Sequence, residues 1–327
     1  MLVHWPKIEV KSDLHIIQNG IGKVALWSNM IQDLKTKEPN TLISVSSPWP
    51  DLYEGNPNIH SSIKIGDMHV DYEKYFNNII CHEPYMSTYL KKNIHIVDAW
   101  RQQYGLENGS NGSGYGDTCI DLAIQEPDKV YVVEIFQHMR GNPFIIIQLK
   151  GGTNPMGPAN PQHHDHMIME RNYEQDYNLI SALHEEFKNI WLLIVRTKND
   201  RYSANVDMLP RVARLEDEKL SALFAMTQEC LSFVTIDSCI HHFASQRGNI
   251  KRGVVMWGRA TQPDMIGHDW NANLLSDHPS KVEIRPERVV EELKEILKKE
   301  KPVLTEDDKG QADNIRRNTG VKRRLIQ

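Results

Sequence analysis

Leu14-His-Ile-Ile-Gln-Asn-Gly-Ile-Gly-Lys-Val-Ala-Leu-Trp27, continued by Ser28-Asn-Met-Ile-Gln-Asp-Leu34 and, past Pro39, by Thr41-Leu-Ile-Ser-Val45, is the stretch that decides the fold. Leu14 to Gln18 reads as a buried strand and Asn19-Gly-Ile-Gly22 as a turn. Val24, Trp27, Met30, Ile31 and Leu34 then recur on one face of a helix. Pro39 ends that helix, because it has no N–H to give the ladder. Thr41 to Val45 is short, apolar and rich in β-branched residues, which suits the next strand. Strand, glycine-containing turn, helix and strand make a β-α-β unit.

The same rhythm extends outward. Asn78 to Cys81 reads as a strand end followed by His82-Glu83-Pro84, Ile94 to Tyr104 as a helix, Gly105 to Gly116 as a loop, and Val130 to Ile135 as a strand. Gly141-Asn-Pro143 breaks the pattern and marks the expected boundary. Phe144 to Leu149 is a strand running into Gly151-Gly152-Thr153, then a polar loop with Pro155, Pro158, Pro161 and His163-His-Asp-His166. Tyr177, Ile180, Leu183 and Phe187 mark a helix, as do Leu220, Leu223 and Phe224. Ile190 to Val195, Leu231 to Ile236 and Gly253 to Trp257 read as strands, and Ser238 opens a helix after the second of them. Pro286 starts a last helix with Val289, Val290, Leu293, Ile296 and Leu297 on its apolar face. Strands alternating with helices in both halves imply an α/β fold of two mostly parallel sheets. The expected division is an N-terminal domain over 1–140, a second over 141–285, and a helix with a loose basic tail over 286–327.

The length of 327 residues suits two such domains. Lys and Arg number 38 against 43 Asp and Glu, a net charge of −5, which argues against a general nucleic-acid coat or an anionic-membrane binder. Cys81, Cys119, Cys230 and Cys239 form no C-x-x-C pair, so neither a zinc knuckle nor a redox motif is suggested. Met1 to Val10 lacks the apolar run of a signal peptide, and no stretch approaches a membrane span. The expected location is the cytoplasm, with a peripheral place at the inner membrane as the alternative.

Ligands of open α/β sheets sit beyond the carboxyl ends of the strands, and four such ends carry useful groups. Gly20 and Gly22 let a ligand approach the backbone at a helix start. Lys23 is a cation in the first turn of that helix, where the dipole disfavours it; it is either a solvated lysine or the partner of an anion. Gly152 and Thr153 place a small residue and a hydroxyl where a phosphate can approach. Asp237 and Ser238 follow an apolar strand, with His242 four residues after Ser238. His82 and Glu83 are candidates for general-base work. Read singly, each has a plain alternative: a tight turn, an N-cap, a surface histidine or a structural pair.

Together these pieces resemble glycosyltransferase family 9, the ADP-heptose:lipopolysaccharide heptosyltransferases, over most of the chain from Ile16 to Pro279. Ile17-Gln-Asn-Gly-Ile-Gly-Lys23 is similar to the opening G-G-x-G-D of that family, and Leu52-Tyr-Glu-Gly-Asn-Pro-Asn-Ile59 to its L-x-x-x-N-P-x-(I/V). Phe144 to Gly152 resembles the strand and small-residue turn of its donor domain, and Arg171-Asn-Tyr173 stands where K-x-W is expected. Ser232-Phe-Val-Thr-Ile-Asp-Ser-Cys-Ile-His-His242 resembles D-(S/T)-G-x-x-H, and Val254-Val-Met-Trp-Gly258 the strand that follows.

The resemblance implies a GT-B fold, two Rossmann-like domains whose parallel sheets face a central cleft, with the acceptor half first and the nucleotide-sugar half second. It implies an inverting transfer of a heptose-like sugar from a nucleotide-diphosphate sugar to the hydroxyl of a glycan or lipopolysaccharide-like acceptor. Asp237, Ser238 and His242 would hold the nucleotide and phosphates, with Gly22 and Gly152 beside them, and Thr153 and Arg171 would contact the diphosphate. The helix start and Arg171, rather than a metal, would stabilise the leaving group, so no cofactor is expected. Lys23 replaces the family's catalytic Asp and Cys239 its Gly. Lys23 then binds an anion while Glu83 or His82 acts as base, or the acceptor is not a sugar hydroxyl, or the protein binds a nucleotide-sugar without turning it over. A glycosyltransferase acting on nucleic acid, guided by Arg316 to Arg324, is a further alternative that the acidic net charge opposes. The histidine run 163–166 reads as a lid or solvated loop rather than a metal site.

Overall fold

The structure is a computed structural model that describes residues 11–18, 20–81, 94–106, 117–151, 172–198, 200–259, 263–278 and 281–299. His82, Glu83, Gly152, Thr153, Arg171, the histidine run 163–166 and the basic tail lie outside the described residues.

In the first half, β1 (Ser12–Ile16) leads through the glycine turn into α1 (Ile21–Trp27) and α2 (Asn29–Lys37). Only Ser28 separates the two helices. Its hydroxyl donates to the Ala25 carbonyl at 2.6 Å and accepts from the Asp121 N–H at 2.8 Å, a back-bond of the kind that bends helices. There follow β2 (Leu42–Ser47), a 3-10 turn at Pro50–Tyr53, β3 (Ser61–Lys64), α3 (Tyr72–Tyr75), β4 (Asn78–Cys81) and α4 (Ile96–Tyr104). These strands form a sheet in the order β3-β2-β1-β4.

The helix α5 (Glu126–His138) comes next, then β5 (Phe144–Gln148), α6 (Asp176–Glu186), β6 (Trp191–Arg196) and β7 (Val212–Glu216). After them run α7 (Leu220–Glu229), β8 (Ser232–Ile236), α8 (Cys239–Phe243), β9 (Gly253–Trp257), α9 (Pro263–Ile266), β10 (Ala272–Leu275) and α10 (Pro286–Lys299). The second sheet has the order β10-β9-β8-β5-β6-β7. Every named pairing in both sheets is parallel. Counted from β5, this order is that of dinucleotide-binding sheets, with its switch point between β5 and β8. The first sheet reverses direction in the same way between β1 and β4.

The strands of the second sheet read as continuous apolar runs because both faces are covered. Phe144, Ile146, Leu193, Phe233, Val255 and Trp257 join the core that extends into the first half. Their alternates Ile145, Ile147, Leu192, Ile194, Val234 and Met256 pack on the side of α6 and α10. The two halves are thus joined by a shared apolar core as well as by chain.

The expected strand over 130–135 is instead the middle of α5. Pro127 and the acids Glu126 and Asp128 occupy its first turn, where proline fits and negative charge is favoured. Val132, Ile135, Phe136 and Met139 recur at helical spacing on the packed side, while Val130 and Val133 are exposed. This helix packs on α7 of the second half. The edge strands β3, β7 and β10 are short and half-exposed, and the hydrophobic pattern does not announce them.

Candidate functional site

The two halves approach each other where α1 follows β1 and α8 follows β8. Beyond β1, Gly20 caps α1 in extended conformation, without a side-chain cap. Beyond β8, Ser238 caps α8, accepting from the Ile240 N–H at 3.3 Å. Its hydroxyl is 2.6 Å from that of Thr235, which reaches the Gln148 carbonyl at 3.1 Å, so the ends of β8 and β5 are tied together. Helices α1 and α8 pack on each other. At their contact a Cβ built on Gly22 would fall 2.4 Å from Cδ2 and 2.8 Å from Nε2 of His242. Glycine is what lets the imidazole lie against the backbone.

Of the expected site residues, the structure therefore gathers Gly22, Lys23, Asp237, Ser238 and His242 at one seam between the halves. Asp237 and Ser238 are partly exposed, whereas Lys23 and His242 are buried. His242 does not project as a surface histidine. Its Nδ1 lies 3.3 Å from Nε2 of His268, a residue the sequence reading did not single out.

The segment 117–122 laces the seam. Asp117 pairs with Arg247 at 2.7 Å, and the Ile120 N–H donates to the Ser245 carbonyl at 3.0 Å. Asn29 Nδ2 donates to the Cys119 carbonyl at 2.6 Å, and buried Arg101 holds Asn29 at 2.9 Å. Burial pushes the Asp117 carboxyl up, but the Cys119 N–H and Arg247 outweigh it and leave the group below its usual range. Burial holds the His268 imidazole well below its usual range, with His241 and His95 adding to the effect.

His95 joins the halves by a second route. Its Nδ1 accepts from the Val97 N–H at 3.2 Å as the cap of α4, so Nε2 carries the hydrogen and donates to the Gly267 carbonyl at 3.0 Å. Burial lowers its pKa to about 4, against the opposing pull of the Gly267 and Ile266 carbonyls. The folded value lies below the unfolded one, so the stability His95 contributes is complete above about pH 6.5 and drains away as pH falls toward about 4. The full effect is at most about 3 kcal/mol. In His95→Asn, which keeps a capping oxygen and an amide donor but does not titrate, the melting temperature is expected to fall less steeply between about pH 6.5 and 4 than in wild type. Parallel pH profiles of the two proteins would show that His95 does not set this pH dependence.

No protein family's sequence pattern matches the chain, and no curated protein matches it. Solved structures do share its fold. The glycosyl transferase family 9 protein of Veillonella parvula DSM 2008 superposes with a TM-score of 0.63 at 14% identity, over 88% of this chain and 97% of that one. The E. coli ADP-heptose lps heptosyltransferase II gives 0.54 at 16% identity, over 89% and 100%. The E. coli heptosyltransferase WaaC with ADP gives 0.55 at 11% identity, over 87% and 99%. The two parallel sheets, their strand orders and these superpositions together give the chain the GT-B fold of the family 9 heptosyltransferases.

Proposed function

We propose that the chain is a divergent family 9 glycosyltransferase that takes a nucleotide-diphosphate sugar at the seam between its halves. The observation that carries this reading is the contact of Gly22, just after β1, with His242, on the helix that follows β8, both strands lying at the switch points of their sheets. Switch points are where open α/β sheets bind ligands. No helix among the described residues is long and apolar enough to cross a membrane.

In the proposed reaction an acceptor hydroxyl, on a glycan or lipopolysaccharide-like molecule, loses its proton and attacks the anomeric carbon in one inverting step. The nucleoside diphosphate leaves with its charge stabilised by backbone N–H groups and cationic side chains, Arg171 among them. Asp237 and Ser238 orient the donor, and His242, behind Gly22, holds the seam in register. Glu83 or His82 takes the proton, because Lys23 stands where the resembling motif has its Asp. A heptose-like donor sugar and ADP-type nucleotide are the proposed substrate class, and the neighbours' own ligands support it only by analogy.

Asp237→Ala is expected to weaken donor binding by about 10-fold or more, as the loss of a charged hydrogen-bonding group does. Ser238→Ala should weaken it less and also cost about 1 kcal/mol of stability through the lost cap. Calorimetric titration of a donor into both variants checks this, and wild-type affinity in Asp237→Ala would sink the assignment. A second reading, a nucleotide-sugar-binding protein without turnover, is favoured by the buried cation at the base position. Turnover appearing in Lys23→Asp and absent from wild type would select it.

A further inference from the structure

Behind the seam three imidazoles converge. His241, His242 and His268 are 0%, 2% and 1% exposed, and one ligand nitrogen from each lies within 4.8 Å of the other two. We propose that these three histidines form a binding site for a divalent transition ion of the zinc class. This site does not depend on the glycosyl-transfer reading.

The hydrogen bonds around the rings are those of metal ligands. A ligating imidazole usually gives its other N–H to a carboxylate, carbonyl or similar acceptor, which fixes the tautomer and turns the free lone pair toward the ion. His268 Nδ1 lies 2.8 Å from the Thr118 hydroxyl, which leaves its Nε2 facing His242. His241 Nε2 lies 3.4 Å from the Asp237 carboxylate. Its Nδ1, wholly buried, has no hydrogen-bond partner, an arrangement that costs free energy unless something takes up the lone pair.

The spacing also fits. Two nitrogens bound to one tetrahedral zinc at about 2.0–2.1 Å stand about 3.3–3.4 Å apart. The His242 Nδ1 to His268 Nε2 separation is 3.3 Å. Nitrogen-only sites suit zinc, copper, nickel and iron rather than magnesium or calcium. Trp270 stacks on His268 at 4.8 Å, and Trp257 meets His241 edge-on at 5.2 Å, so the rings sit in an apolar shell that limits their rotation. The ion would pin α8 to the segment around His268. Thr118 and Gly22 of the first half support it from outside.

The test uses the full chain, stripped with chelator, desalted and titrated with Zn2+ or Co2+. Bound metal is read by mass spectrometry and Co2+ geometry by visible absorption. One equivalent of tight metal is expected in wild type, with the intense absorption of four-coordinate Co2+. That equivalent should be lost in His241→Gln and His268→Gln, and weakened about 10-fold or more in Thr118→Val. A separate variant combining His163→Gln, His164→Gln and His166→Gln should keep it. A folded wild-type protein that takes up no metal overturns the proposal. So does metal that leaves with the 163–166 variant and stays in His241→Gln. Because the wild-type and Thr118→Val measurements stand alone, misfolding of a histidine variant does not decide the matter.

Discussion

Gly22→Ala is expected to destabilise the protein in the wild-type background and to stabilise it when His242 is also alanine. In an ordinary helix interior the change from glycine to alanine gains about 1 kcal/mol. Here the added Cβ would sit 2.4 Å from an imidazole carbon, closer than packed atoms come. The ring cannot step aside. It is buried against His241 at a centroid distance of 3.8 Å and bonded to His268. Overpacking of this kind costs about 1–3 kcal/mol, which outweighs the helical gain. Removing the ring with His242→Ala vacates the space and returns the helix term to its usual sign. A coupling of about 1–3 kcal/mol between the two sites is the expected result. Thermal or urea unfolding of the four proteins in chelator-treated buffer gives the number. Additive effects would mean that α1 and α8 do not meet through these residues.

Lys23 carries the second large effect. It is 7% exposed at the start of α1, where both burial and the helix dipole disfavour an ammonium. Such a placement has a use if an anion approaches the turn. Lys23→Met keeps the aliphatic length and removes the charge. On the donor-binding reading it should weaken a nucleoside diphosphate by about 10- to 100-fold, the loss of one charge-assisted hydrogen bond. Thermal unfolding of Lys23→Met beside wild type reads the stability separately from the affinity. Unchanged affinity together with lost stability would make Lys23 a structural cation.

Much of this architecture was readable from local pattern. The run from Leu14 to Val45 carries a helical period, a glycine turn and a β-branched strand in succession, and the structure has β1, α1, α2 and β2 there. The apolar strands of the second sheet were readable because burial on both faces forbids polar interruption. Edge strands were not, since Ser61–Lys64 and Val212–Glu216 need little apolar surface. Val130 to Ile135 misled because β-branched residues dominate it, while its order is set by the proline-led start of α5 and by packing on α7. At the site, Gly22 and His242 were each visible, but 220 positions apart no spacing rule joins them. His268, His95 and Thr118 carry no local signal at all. Their roles come from the docking of one half on the other, which a single sequence does not encode at short range.

Whether the seam holds a nucleotide-sugar is read by a thermal-shift panel of ADP-, GDP- and UDP-linked sugars with their parent nucleotides. A ligand that binds only the folded state raises its apparent stability in proportion to the logarithm of its excess over Kd. A clear rise is expected with one nucleotide class, diminished in Asp237→Ala and Lys23→Met. No rise with any of them would mean that the seam is not a donor site.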